Sequence, residues 1–150
     1  MLLDQIQEDL KQAQLERQEI KVSTLRMLVS EIRYSAISKS EDHQEISDEQ
    51  VTQVILKEAK KRRESIASFE QAGRAELVEK EQSELKVLEA YLPEQMGDEQ
   101  LGKIVDESIS QTGASEVKDM GKVIGMVMGK IKGQADGARV SQLIKERLTK

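Results

Sequence analysis

The sequence has no cysteine and no tryptophan, and it contains a single proline and a single histidine. The lack of cysteine excludes disulfides, thiolate nucleophiles and thiolate metal sites. One histidine cannot form a metal-binding pair, and no G-x-S-x-G motif is present to position a nucleophilic serine. Since only Tyr34, Phe69 and Tyr91 are aromatic, the core must come from aliphatic residues, Met and Ala. Such a core suits helices better than sheets.

Long apolar runs are absent as well. No stretch approaches the roughly 18 apolar residues of a membrane span. The first residues lack the basic and apolar regions of a signal peptide. We therefore expect a cytoplasmic protein with no membrane association, no cofactor, no metal site and no catalytic residues of its own.

Apolar residues recur at helical spacing in seven segments, which predicts an all-α, multihelical protein. The only proline, Pro93, separates an N-terminal subdomain of four helices (1–93) from a C-terminal subdomain of three (94–150). The predicted helices cover 2 to about 18, about 22 to 38, 48 to 72, 75 to 92, 98 to 112, 117 to 131 and 137 to 148. A polar segment, 38–45, is predicted to be an exposed loop that includes His43.

Several residues predict where these helices begin and end. Ser47 to Gln50 has the form of a capping box, and Gly73 and Gly113 are suited to close helices in the left-handed conformation. Asp98, Ser115 and Asp136 are the predicted N-caps of the last three helices. No glycine or proline marks a break between the first two helices.

The formal charge of −5 hides an asymmetry along the chain. Residues 94–117 contain six acids and one base, whereas residues 118–150 contain eight bases and three acids. The last third is thus basic within an acidic protein, and it provides candidate phosphate ligands. These are Lys122, Lys130, Lys132, Arg139, Lys145 and Arg147.

A second basic group consists of Lys57, Lys60, Arg62 and Arg63. Arg62 falls within the apolar stripe of its helix, so its guanidinium needs a partner if it is desolvated. Glu58, four residues earlier, has the spacing of an intrahelical ion pair. Two interpretations stay open, a structural ion pair at Arg62 or a phosphate-contacting patch formed by all four residues.

Glycine recurs every four residues in the sixth predicted helix, at Gly121, Gly125 and Gly129. Each costs roughly 1 kcal/mol relative to alanine in a helix interior, so we expect a compensating contact. Either a neighbouring helix packs closely on this face, or an RNA backbone does. A phosphate loop is excluded because three residues, not four, separate Gly125 from Gly129, and no Ser or Thr follows Lys130.

Four segments resemble the GatB/YqeY family, and specifically its small stand-alone members, from about residue 4 to residue 148. They are Val22-Ser23-Thr24-Leu25-Arg26-Met27-Leu28, Lys57-Glu58-Ala59-Lys60-Lys61-Arg62-Arg63-Glu64-Ser65-Ile66, Leu88-Glu89-Ala90-Tyr91-Leu92-Pro93 and Met120-Gly121-Lys122-Val123-Ile124-Gly125. The resemblance implies the same arrangement of four and three helices.

The last third is also similar to the tail of the B subunit of the tRNA-dependent amidotransferase. The matching residues are Gly125, Met128, Gly133, Ala135 and Asp136. In that enzyme the tail contacts tRNA, and the glutaminase, kinase and amide-forming activities reside elsewhere. The resemblance therefore implies a non-catalytic accessory module that binds tRNA. Gly121, Gly125, Gly129 and Gly133 are further candidate RNA contacts.

Two alternatives come from other classes of protein. One is a protein-interaction adaptor that docks on the translation, aminoacyl-tRNA or amidotransferase machinery. The other is an amidotransferase-associated subunit, with glutamine as the amido donor, that is active only in a complex.

Overall fold

The computed structural model describes residues 1–39 and 46–149, and in these ranges all regular structure is helical. The prediction of an all-α fold is confirmed. His43 and most of the predicted loop around it lie outside the described residues. The helices are α1 (Leu2–Leu15), α2 (Glu19–Lys39), α3 (Asp48–Gln71), α4 (Ala75–Glu89), α5 (Asp98–Thr112), a short 3₁₀ helix (Val117–Asp119), α6 (Met120–Ile131) and α7 (Gly137–Leu148).

The chain divides into two compact units, Met1–Leu92 and Pro93–Lys150. The N-terminal unit contains α1 to α4, and the C-terminal unit contains α5 to α7. No helix in the described parts of the chain is both long enough and apolar enough to cross a membrane.

The core of the N-terminal unit is aliphatic. Its fully buried side chains lie on the predicted apolar stripes, and α3 and α4 pack against each other along a hairpin that turns at Gly73, where φ is +70°. At the start of α3 the Gln50 amide donates to Ser47 Oγ at 3.2 Å, and the Ser47 amide donates to Gln50 Oε1 at 3.0 Å. The predicted capping box is confirmed. The main core residues are Ile6, Leu25, Leu28, Ile32, Val51, Ile55 and Leu88.

A break does separate α1 from α2. It is made by Arg17, which adopts a left-handed φ of 56°, while the Gln18 amide donates to the carbonyl of Ala13 at 3.0 Å. A non-glycine residue in this region is uncommon and carries a conformational cost. Because the break uses an arginine in a conformation usual for glycine, the sequence contains no glycine or proline that would have indicated it.

The C-terminal unit has its own core, contributed by all three helices. Gly113 closes α5 with φ of 68°, and Asp136 caps α7 by accepting a hydrogen bond from the Ala138 amide at 3.2 Å. Both features confirm the sequence-based predictions. The core residues are Leu101, Val105, Val123, Val127, Ile131, Val140 and Ile144.

Two predicted caps in this unit are wrong. Gly97, not Asp98, is the N-cap of α5, because Asp98 lies in the first turn and directs its carboxylate to Arg139. Ser115 does not cap the sixth helix either. Its amide and that of Glu116 donate to the Asp119 carboxylate, both at 3.2 Å, and these two hydrogen bonds hold the pKa of Asp119 below its usual range.

Candidate nucleic-acid interface

The buried and exposed faces of α6 are opposite each other. Val123, Val127 and Ile131 are fully buried and anchor the helix in the core. Gly121, Gly125 and Gly129 are two residues away from them, about 200° around the helix axis at 100° per residue. All three glycines are exposed. We call the surface formed by these three residues the glycine face.

Nothing covers the glycine face in the described residues. A Cβ atom placed at Gly121, Gly125 or Gly129 would meet no heavy atom within 4 Å. Of the two contacts considered from the sequence, close packing by another helix of the C-terminal unit is therefore absent from its described residues. The conformational cost of three glycines is not offset by any contact within the described parts of the chain.

Three lysines border the glycine face or follow it. Lys122 and Lys130 each follow a glycine of this face by one residue, about 100° further around the helix axis, and both are exposed. The Lys130 ammonium donates to Gln111 Oε1 at 2.9 Å, a neutral partner. Lys132 ends α6 with φ of 45°. None of the three forms a salt bridge with a described carboxylate.

The two arginines of α7 are paired. Arg139 binds both carboxylate oxygens of Asp98, through Nε at 3.0 Å and Nη2 at 2.8 Å, and Arg147 Nε donates to Asp106 at 2.9 Å. Both pairs join residues 41 positions apart, so α5 and α7 run parallel. The equal spacing of eight between the two acids and between the two bases is the sequence signal that could have predicted this pairing.

The other predicted contacts differ in accessibility. Lys145 is exposed on α7 and has no salt bridge with a described residue. Gly133 is buried, adopts φ of 83°, and its carbonyl accepts a hydrogen bond from Gln95 Nε2 at 3.2 Å. Gly133 therefore shapes the loop before α7 and does not extend the glycine face.

The second basic group does not form one cationic surface. Arg62 is only 15% exposed, and it donates to Glu58 Oε2 at 3.1 Å and to Glu84 Oε2 at 3.1 Å. Arg63 is half exposed and bonds Glu89 at 3.1 Å, and Lys57 and Lys60 are exposed. The geometry matches the interpretation of Arg62 as a structural ion pair.

Sequence reasoning missed one further polar contact in the N-terminal unit. The Tyr91 hydroxyl donates to Asp9 Oδ2 at 2.5 Å, connecting the end of α4 to α1. Burial, together with this hydrogen bond and the negative charge of Asp9, raises the pKa of Tyr91 well above its usual range. The two residues are 82 positions apart, so no local pattern could have indicated the contact.

Comparison with known proteins identifies the family. A family described as "Yqey-like protein" matches residues 3–148. The chain belongs to this family. The resemblance noted from the sequence is thus confirmed for the stand-alone family, while the similarity of the last third to the amidotransferase tail stays a prediction.

Curated relatives of this family member come from fungi. The chain is 34% identical to "Altered inheritance of mitochondria protein 41, mitochondrial" of Pyrenophora tritici-repentis, over 97% of this chain and 80% of that protein. It is 38% identical to an uncharacterized protein of Schizosaccharomyces pombe, over 52% of this chain and 61% of that protein. The identically named mitochondrial protein of Eremothecium gossypii is 34% identical, over 60% and 48%. The chain thus spans roughly half of this last relative.

The prediction of a cytoplasmic location is wrong by this comparison. Three relatives, including one from Kluyveromyces lactis, carry the word mitochondrial in their names. The prediction depended on the lack of a signal-peptide pattern and of long apolar runs, and the lack of cysteine was compatible with it. Those features do not distinguish one reducing compartment from another.

Proposed function

We propose that this family member is an accessory RNA-binding module, that its ligand is tRNA, and that it contributes no catalysis of its own. The observation that carries the proposal is the uncovered glycine face of α6 with Lys122, Lys130 and Lys132 beside it. Basic side chains bind phosphates by releasing counterions. A helix surface without side chains lets a sugar-phosphate backbone approach closely.

The conformation of Lys132 supports the same interpretation. Its φ of 45° lies in the left-handed region, where glycine is the usual residue at the end of a helix. A lysine there costs about 1 kcal/mol relative to glycine. Residues held in costly conformations cluster at functional sites, and what lysine offers over glycine at this exposed position is a positive charge.

The paired arginines of α7 set an expectation for affinity. Because Arg139 and Arg147 already bind Asp98 and Asp106, a phosphate must displace a carboxylate to reach them. Both pairs are partly exposed, and such pairs contribute only about 0 to 1 kcal/mol, so displacement is feasible. The three lysines near the glycine face need no such exchange, and they are the primary candidates for phosphate contacts.

The choice of tRNA among RNAs depends on the similarity of residues 125–136 to the amidotransferase tail. Three of the fungal relatives have names that refer to inheritance of mitochondria, and these names do not mention RNA.

A protein-interaction adaptor is the second candidate, and one observation favours it. Ile124 and Met128 are only partly buried and lie along the other border of the glycine face. An apolar border beside glycines suits a docked helix. Binding of a protein helix would survive moderate salt, whereas binding dominated by phosphates would not.

The proposal is tested by fluorescence anisotropy of labelled bulk tRNA at about 50 and 200 mM salt. The wild-type protein is compared with the triple variant Lys122→Glu, Lys130→Glu, Lys132→Glu. A matched control reverses three exposed lysines of the N-terminal unit, Lys11→Glu, Lys80→Glu and Lys86→Glu. We expect salt-sensitive binding that the α6 variant loses and the control retains. Equal loss in both variants, or no binding at low salt, would refute the proposal.

A second variant tests the contribution of the glycine face to tRNA binding without changing any lysine. Gly125→Ala adds one methyl group to the glycine face, where no neighbour lies within 4 Å. We expect it to stabilise the protein by about 1 kcal/mol, because alanine is the better helix former, and to weaken tRNA binding by blocking close approach. Unchanged tRNA affinity would remove the glycine face from the interface.

A further inference from the structure

We infer that the outward face of α2, in the N-terminal unit, is a second RNA contact that binds unpaired nucleotides. The inference rests on the proposed function for the class of ligand. It concerns a different unit, different residues and a different mode of recognition. The face consists of Arg26, Ser30, Arg33, Tyr34 and Ile37, and we call it the α2 stripe.

The α2 stripe is one continuous surface. Arg26, Ser30, Arg33 and Ile37 follow one another at three or four residues, and Tyr34 is four residues after Ser30. All five therefore lie within about 100° around the helix axis. The opposite side carries the fully buried Leu25, Leu28 and Ile32. Tyr34 and Ile37 are 72% and 78% exposed, one turn apart. An exposed aromatic and an exposed aliphatic residue in contact range form an apolar patch that no described residue covers.

The arginines of the α2 stripe differ from three other arginines in the same unit. Arg62, Arg63 and Arg74 each bond a glutamate. Arg26 and Arg33 are exposed and have no salt bridge or hydrogen bond with any described residue. The carboxylates of α2 nearest to the stripe are Glu19, seven residues before Arg26, and Glu31, three residues before Tyr34 at the edge of the stripe. Neither forms a salt bridge with Arg26 or Arg33 in the described residues. The stripe is therefore a positive surface in an otherwise acidic unit.

These side chains fit single-stranded RNA. An exposed tyrosine ring offers a stacking surface to any base, and guanidinium groups bind phosphate oxygens. Arg26 and Arg33 are seven residues apart, about 10 Å along the helix. That is the length of about three stacked nucleotides at 3.4 Å each. Ser30, which is small, lies between the arginines and leaves room for the backbone.

Charge decides against a second copy of the chain as the occupant. In a two-fold symmetric dimer the same patch meets itself, so Arg26 and Arg33 would lie beside the arginines of the other copy. Each copy would place only Glu31, at the edge of the stripe, near these four arginines. Phosphates supply the negative charge that the α2 stripe lacks.

The test uses the full-length protein and a labelled oligouridylate of about 12 nucleotides, within the site sizes usual for single strands. We expect Tyr34→Ala to weaken binding about tenfold, the effect of losing one stacked base. Tyr34→Phe keeps the ring and should bind as the wild type does. Arg26→Gln with Arg33→Gln should lower the slope of log affinity against log salt by about 1.4, since each single-strand phosphate contact contributes about 0.7.

A spectroscopic readout reports stacking directly. The chain has two tyrosines and no tryptophan, so tyrosine fluorescence is not masked. Oligouridylate should quench part of this fluorescence in the wild type and none of it in Tyr34→Phe, although the affinity is kept. The control Lys11→Gln with Lys80→Gln removes two exposed charges elsewhere in the unit and should leave the quenching unchanged.

The outcomes separate this inference from the proposed function. The variants that decide are Tyr34→Ala and Arg26→Gln with Arg33→Gln, here called the α2 variants. If the wild type binds tRNA, but the α2 variants bind oligouridylate as well as the wild type does and oligouridylate does not quench wild-type tyrosine fluorescence, the inference is overturned and the proposed function stands. If the α2 variants lose binding while the α6 variant does not, the inference stands and the α6 surface fails. Absence of any RNA binding overturns both. Sedimentation that shows a wild-type dimer and a monomeric Tyr34→Ala would overturn the inference in favour of a second copy.

Discussion

Replacing Arg62 by alanine is expected to destabilise the N-terminal unit far more than replacing the next residue, Arg63. Glu58 is 3% exposed, and Arg62 is its partner at 3.1 Å. Arg62 also binds Glu84 at 3.1 Å and lies 3.7 Å from Glu81, whose Oε2 is buried without a hydrogen bond. Arg62→Ala leaves three carboxylates facing each other, with Lys61 as the remaining cation near Glu58.

The magnitude follows from the burial of the pair. Breaking a buried ion pair by removing one partner costs 3 to 5 kcal/mol. Because Lys61 Nζ remains 3.3 Å from Glu58, we expect the low end, about 3 kcal/mol. The matched control is Arg63→Ala, which breaks the half-exposed pair with Glu89 and should cost at most about 1 kcal/mol.

Urea unfolding provides the assay. Both tyrosines lie in the N-terminal unit, so tyrosine fluorescence reports that unit, whereas far-ultraviolet circular dichroism reports all helices. Arg62→Ala should strongly lower the urea concentration at the midpoint of the fluorescence transition. Glu84→Gln added to it should recover part of the lost stability by removing one carboxylate. Equal stability of the Arg62→Ala and Arg63→Ala variants, or further loss in the double variant, would refute the reasoning.

Three further predictions concern the N-terminal unit. Arg17→Gly should stabilise it by about 1 kcal/mol in urea unfolding, because glycine adopts the left-handed φ of 56° without strain; a destabilised variant would contradict this. Ser47→Ala should cost about 1 kcal/mol through loss of the N-cap, and Ser47→Asp should restore most of it in the same assay. The raised pKa of Tyr91 in the folded state makes the unit lose stability as the pH rises above about 10, because the unfolded tyrosine ionises first. Unfolding measured from pH 8 to 11 should show a smaller decline in Tyr91→Phe, and an identical decline would exclude this cause.

Local signals predicted the parts of the fold that depend on residues close in sequence. The capping box at Ser47, the left-handed glycine at Gly113 and the cap at Asp136 are each decided by contacts within four residues. Such contacts can be read from the chain without knowing its neighbours in space. The break at Arg17 could not be predicted, since it requires a conformation that arginine rarely adopts.

The sequence predicted which residues form the candidate interface, but not which of them are accessible to a ligand. Periodicity placed Gly121, Gly125 and Gly129 on one line, but whether a helix covers that line depends on where α5 and α7 pack. The same packing decides that Arg139 and Arg147 are paired. The α2 stripe was not predicted, because apolar periodicity identifies only the buried side of α2. No local pattern shows that the arginines on the outward side have no partner.

The glycine face also has a consequence for the stability of α6 itself. Three glycines in a helix of 12 residues make the free energy of helix formation about 3 kcal/mol less favourable than three alanines would. The stability of α6 therefore depends mainly on the burial of Val123, Val127 and Ile131. Backbone amides of α6 should therefore exchange with solvent through local opening more readily than those of α7. A ligand bound along the glycine face would close these openings, so binding at this surface and ordering of α6 are thermodynamically linked.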